Sequence, residues 1–203
     1  VAAMREADRR CIEELGVPGA VLMYNAGAAV YRECGDGALA VVCGKGNNGG
    51  DGFVVAFLAQ AAGRDVRVAL LGRLDDVSGD ARIYLDAYRK LGGAVDAVGE
   101  PDAAASALRM LAGRPIWVDA VAGTGVKGPL RGAAAAAIAA WPADVHTVAV
   151  DIPSGVDGDT GAVCGPAVRA ATTVTFQYVK RGLLAPTAAP YVGRLLVADI
   201  GIP

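Results

Sequence analysis

The sequence predicts an α/β fold: a mainly parallel, doubly wound sheet with helices on both faces, preceded by two helices. Three observations carry this. Short apolar runs recur along the chain and read as buried strands. Stretches with helical spacing alternate with them, which is the pattern of βαβ units. Three glycine-containing polar loops each follow such a run, at the strand ends where sheets of this kind bind ligands.

The elements follow in order. Met4, Ala7, Cys11 and Leu15 recur at helical spacing among Arg5, Glu6, Arg9 and Glu13, so residues 4–15 read as an amphipathic helix. Gly16-Val17-Pro18-Gly19 breaks the chain, and a second helix begins at Gly19 or Ala20 and reaches about Arg32. Residues 38–43 (ALAVVC) read as a strand, 44–52 as a loop and 53–62 as a helix. Residues 66–71 (VRVALL) form a strand, 78–91 a helix, 94–98 a weak strand and 102–112 a helix. Residues 116–121 (IWVDAV) are a strand, 132–141 an Ala-rich helix and 147–152 (TVAVDI) a strand, and 172–176 and 195–200 close the sheet. The length of 203 residues fits one domain over 1–203, and no linker composition divides it.

Composition excludes several functions. A net charge of −2 offers no basic field for nucleic acid or an anionic membrane, so a phosphate-bearing ligand must be held by local geometry. No stretch reaches the roughly 18 apolar residues of a membrane span without a charge or a breaker. Cys11, Cys34, Cys43 and Cys164 lack zinc or redox spacing, and no basic leader is present, so reduced thiols in the cytoplasm are expected. The single histidine, His146, cannot form a two-histidine metal site. It starts its strand, far from the crevice, and reads as structural or solvated.

The first loop is Gly44-Lys45-Gly46-Asn47-Asn48-Gly49-Gly50-Asp51-Gly52. Its glycines let backbone N–H groups approach an anion ahead of a helix N-terminus. Asp51 reads equally as a helix cap or a catalytic group. No acidic residue follows 66–71, where Gly72-Arg73 stands, which counts against a nicotinamide dehydrogenase. The second loop runs from Asp119 to Pro129. Asp119 lies within an apolar strand and needs hydrogen bonds, a cation or a metal ion. Gly123, Thr124 and Gly125 offer amides and a hydroxyl, and Lys127 is a mobile cation with either a binding or a solvated role. The third is Asp151-Ile152-Pro153-Ser154-Gly155-Val156-Asp157, another aspartate at a strand exit followed by a turn. Carboxylates and amide oxygens converging on one crevice suit a hard cation or a general acid/base pair.

Together and in this order, GKGNNGGDG, DAVAGTGVKG and VDIPSGVDGDTG resemble the NAD(P)H-hydrate epimerase, or YjeF N-terminal domain, family. The N-terminal MREADRRCIEELGVPGAVLMYNAG and the tail VKRGLL with GRLLVADIGIP fit as well, so the likeness spans nearly the whole chain. Tyr24 stands where the family commonly has Glu, and Val179 where a proline is usual. The resemblance implies a Rossmann-like three-layer αβα sandwich with two N-terminal helices, commonly a homodimer. It implies epimerisation of NADH or NADPH hydrated on the nicotinamide ring, and a potassium ion. By position, Asn48, Asp119 and Ser154 would bind potassium. Asn47, Asn48, Gly49, Gly50, Asp51, Gly123, Thr124, Gly125, Val126, Lys127, Gly128, Pro129 and Asp151 would contact substrate. Inverting a hydroxyl-bearing carbon needs a group that gives and takes a proton, and Asp151 is left for it once Asp119 serves the ion. Lys127 either shares in catalysis or holds the pyrophosphate. The family is often fused to a dehydratase domain. A non-catalytic binding module is the alternative, since the family includes an apolipoprotein A-I-binding protein; a pure scaffold has no need of carboxylates in a crevice.

Overall fold

A computed structural model of the protein describes residues 1–124, 128–163 and 165–203. Helices α1 (Ala2–Glu13) and α2 (Gly19–Glu33) precede an alternation of β1 (Leu39–Cys43), α3 (Asn47–Ala61), β2 (Val66–Leu71), α4 (Gly79–Lys90), β3 (Val95–Val98), α5 (Pro101–Met110), β4 (Ile116–Ala120), α6 (Gly132–Ala139) and β5 (His146–Val150). After β5 the pattern changes. A helix-free connection leads to β6 (Thr172–Phe176), and a short 3-10 turn (Arg181–Leu184) and α7 (Ala189–Val192) lead to β7 (Arg194–Ala198).

The seven strands form one sheet in the order β3-β2-β1-β4-β5-β6-β7. Every pairing between them is parallel. The expected doubly wound α/β sandwich is therefore present, and its sheet is parallel throughout. One core lies between the sheet and α2, α3 and α4, holding Val41, Phe53, Val54, Leu70, Leu85 and Val118. The other lies against α5 and α6, with Val42, Leu108, Leu111, Trp117 and Ile138. Strand alternation divides these sets. The winding reverses between β1 and β4, so the crevice of such a sheet falls beyond their carboxyl ends.

The glycine-rich first loop differs from the sequence reading. Only residues 44–46 connect β1 to α3, and Asn47 to Gly52 form the first turns of the helix. Glycine costs roughly 1 kcal/mol per position in a helix relative to alanine, which is why the run reads as loop. Packing overrides that preference. A β-carbon on Gly49 would fall 1.8 Å from the Gly44 carbonyl oxygen, and one on Gly52 would fall 2.5 Å from Ala120 Cβ. These glycines let α3 lie directly on β1, β4 and its own entry turn. Asp51 is thus inside the helix rather than at its cap, which is Gly46.

Candidate functional site

Each strand facing the crevice ends in a device that presents polar groups. β1 ends at Gly44, whose amide donates to the Ala120 carbonyl (2.9 Å) and ties the exits of β1 and β4 together. The N-cap of α3 is a glycine with no side-chain cap, so the first-turn amides of this helix stay open to a ligand. β5 ends at Asp151, which has φ 63°, a left-handed conformation rare for a non-glycine residue. Strain of this kind persists where surrounding structure imposes it, commonly at functional sites. Gln177, just past β6, has φ 57° and its amide reaches the Ile202 carbonyl at 2.6 Å.

A cavity of about 630 Å³ opens at this edge. Among the residues assigned from sequence, Asn47, Asn48, Asp51, Gly123, Thr124 and Asp151 line it. α1 forms an outer wall through Met4, Arg5, Asp8 and Ile12, and the Arg5 guanidinium donates to the Thr124 carbonyl. Gly49 and Gly50 are buried within the first turns of α3, and Gly128 and Pro129 are exposed and do not line the cavity. Gly125, Val126 and Lys127 lie outside the described residues, as does Cys164.

Behind the Val121-Ala122-Gly123 segment sits a buried knot. Asp119 and Ser154 are both 0% exposed. Ser154 donates its backbone N–H to Asp119 Oδ2 (2.7 Å) and its hydroxyl to Oδ1 (2.6 Å). Val121 N–H also reaches Oδ1 at 3.3 Å, and Ala122 N–H donates to Ser154 Oγ at 2.9 Å. These bonds supply the compensation a buried carboxylate requires. Burial pushes Asp119 up to about 6, and the bonds from Ser154 and Val121 pull it back down. Alongside, Asn48 Nδ2 is buried with no hydrogen-bond partner, and a β-carbon on Gly123 would fall 2.6 Å from Asn48 Oδ1. Among the described residues no group of three or more His, Cys, Asp and Glu side chains could hold a metal. One carboxylate with amide and hydroxyl oxygens is instead a donor set for a weakly charged, hard cation.

The second carboxylate is held differently. Lys180 Nζ lies 2.6 Å from Asp151 Oδ1 and donates to the Phe176 carbonyl at 2.8 Å. Thr175 Oγ1 donates to the same Oδ1 at 3.0 Å, and Phe176 N–H approaches it at 3.4 Å. All of these contacts fall on Oδ1, and the carboxylate lines the cavity. The sequence offered Lys127 and an implied potassium ion as the cations of the site; among the described residues the cation in contact with Asp151 is Lys180, 3% exposed. Its only sequence signal was its place in the VKRGLL tail. Exposed Tyr178, Val179 and Arg181 around it conceal that it points inward. The third carboxyl, Asp51, lines the cavity with no hydrogen-bond partner among the described residues. Burial pushes it well above the ordinary carboxylate range; Asp151 and Asp8 add to this, and Lys180 opposes it.

His146 is exposed at the opposite end of β5, as expected of a solvated group. Cys11, Cys34 and Cys43 are buried free thiols. Among the described residues no helix is long and apolar enough to cross a membrane.

The family described as "YjeF-related protein N-terminus" matches residues 19–182. The chain is 42% identical to a bifunctional NAD(P)H-hydrate repair enzyme of Moorella thermoacetica, over 100% of this chain and 40% of that protein. It is 39% identical to an NAD(P)H-hydrate epimerase of Rhodopirellula baltica, over 98% of this chain and 82% of that protein. A second epimerase, from Limosilactobacillus fermentum, is 38% identical over 98% of this chain and 94% of its own length. The chain thus spans about two fifths of the bifunctional relatives and most of the single-function ones. The crystal structure of the yeast protein ynu0 shares the fold, with a TM-score of 0.80 over 98% of this chain and 86% of that one at 21% identity.

Proposed function

Because the chain belongs to the YjeF-related protein N-terminus family, we propose that it is an NAD(P)H-hydrate epimerase, interconverting the R and S epimers of hydrated NADH and NADPH. The observation that carries this reading is Asp151. It is a strained, lysine-paired carboxylate at the mouth of β5, in the cavity that the open N-terminus of α3 also faces. The hydrated ring bears its hydroxyl on a carbon beside the ring nitrogen. Inversion follows if the hydroxyl departs, leaving a cationic ring, and water returns to the other face. Asp151 takes the proton at oxygen in one direction of the reaction and gives it in the other, and its charge stabilises the ring cation. The first-turn amides at Asn47 and Asn48, with Gly123 and Thr124 opposite, hold the pyrophosphate at the positive end of α3. By the resemblance of the second loop alone, Lys127 would bring a cation to the pyrophosphate or share in catalysis, with Gly125 and Val126 contacting substrate.

The donors around Asn48 fit a potassium ion, which Asn48, Asp119 and Ser154 would hold. Bound there, it supplies fixed positive charge beneath the substrate and no redox chemistry. The orphaned Asn48 amide and the close approach of Gly123 support this assignment. We further propose cytoplasmic action, supported by the reduced, buried thiols, and a homodimer. A dehydratase, in fusion or as a separate protein, would consume the product, as the name of the bifunctional relatives suggests.

The test supplies epimerically mixed hydrated NADH to a dehydratase that accepts one epimer. Added protein should speed consumption of the other epimer. If that epimer drains no faster than in buffer, the reading fails and a binding module takes its place.

A further inference from the structure

The cavity holds two carboxyls in opposite circumstances. Asp151 has Lys180 2.6 Å away on one oxygen. Asp51 comes from a different wall, the second turn of α3. It is 9% exposed and has no hydrogen-bond donor or cation in contact with it among the described residues. Two carboxyls whose surroundings separate their protonation states are the usual arrangement of an acid and a base. The acid needs no partner, and the base needs a cation.

We infer that Asp51 is a second proton-transferring carboxyl of this site, acting as the acid opposite Asp151, and that Lys180 is the positioning residue that enforces the division. This rests on the epimerase reading. In the forward step the Asp51 proton passes to the ring hydroxyl. The carbon–oxygen bond breaks, its electron pair leaves with water, and the lone pair of the ring nitrogen fills the vacancy to give the cationic ring. Water then bonds to the other face and the electron pair returns to nitrogen. Asp151 accepts the proton this water loses. One proton has moved from Asp51 to Asp151, and the next turnover in reverse, or exchange through solvent, restores the start. Nothing else is consumed.

The charges around Asp51 agree with this assignment. Burial resists its ionisation first, Asp151 from the exit of β5 and Asp8 from α1 add to this, and Lys180 opposes them. Asn at this position reproduces the neutral carboxyl in shape and charge but cannot release a proton. The folded protein binds the Asp51 proton more tightly than the unfolded chain does. Stability due to this group is therefore full below its ordinary value of 3.8 and declines as pH rises toward the raised one. Asp51→Asn does not titrate and should melt no lower than the parent at neutral pH.

The experiment follows epimerisation in ¹⁸O-labelled water across pH for the parent, Asp51→Asn, Lys180→Met and Lys180→Arg. The parent should incorporate label at the inverted carbon. Asp51→Asn should lose turnover and label incorporation together, by roughly 10²–10⁴-fold, the usual size of one acid–base contribution. Its residual rate should lack the alkaline limb of the profile, while NADH itself, which lacks the hydroxyl, binds as before. Lys180→Met should lower kcat about tenfold or more while NADH binds as before, because Asp151 loses the cation that fixes it at 2.6 Å. Lys180→Arg, which keeps the charge, should restore kcat and also serves if the Met variant does not fold. Near-parental turnover with an intact alkaline limb in Asp51→Asn overturns the inference, as does a kcat that Lys180→Met leaves unchanged or that Lys180→Arg fails to restore. A parent that epimerises nothing overturns the functional reading itself.

Discussion

Asp119 is a residue whose need was legible and whose partner was not. An aspartate inside the run IWVDAV must be compensated. Spacing alone does not say that Ser154, 35 positions away, donates two of the bonds that do it, beside the Val121 amide. Ser154→Ala removes the 2.6 Å bond to Asp119 and leaves the Ala122 amide without its acceptor. Losing a buried partner in this way costs about 1–3 kcal/mol, read as a lower denaturation midpoint in urea. The same residue bears on the ion. A cation bound only by the folded state stabilises by mass action, so potassium replacing a bulky organic cation at fixed ionic strength should raise the parent's melting temperature. Ser154→Ala should blunt that rise. An unchanged midpoint would deny the knot its structural role, and a parent indifferent to potassium would deny the ion site.

Among the elements, α3 shows where reading by propensity stops. All six residues from Asn47 to Gly52 disfavour a helix, yet all six are helical because the surrounding packing leaves no room for side chains at the glycines. What the glycines permit is close approach of protein to protein, and only the open first turn behind Gly46 remains for an anion. The two functions separate by substitution. Gly49→Ala drives a methyl into the Gly44 carbonyl, a backbone group that cannot rotate away, and overpacking of this kind costs about 1–3 kcal/mol. Gly46→Ala meets nothing within 4 Å at φ −94° and loses only the modest advantage of glycine at an N-cap. Thermal melts of the two variants should differ by several degrees. Equal melting temperatures would mean that α3 can shift off its entry turn.

For the whole molecule, strand–helix alternation made the doubly wound sheet legible, and with it the convergence of the three loops at the point where the winding reverses. The last third was less readable, because β5 to β6 crosses without a helix and Lys180 arrives from a turn that sequence reasoning left unassigned. Nor did periodicity say where α1 docks. Its amphipathic face closes the cavity through Met4, Arg5, Asp8 and Ile12, and it joins the core of the sheet, α2, α3 and α4 only at the edge, through Cys11 with Met4 and Ala7 beside it. Deleting residues 1–15 should therefore leave a cooperative unfolding transition while raising KM about tenfold or more, equivalent to about 1.4 kcal/mol of lost binding. The deletion also admits water beside Asp51 and removes the carboxylate of Asp8. Both changes ease ionisation of Asp51. The alkaline limb of the pH–rate profile should then move to lower pH, whereas it should stay in place if α1 acted only by gripping substrate and left the proton balance of the site untouched.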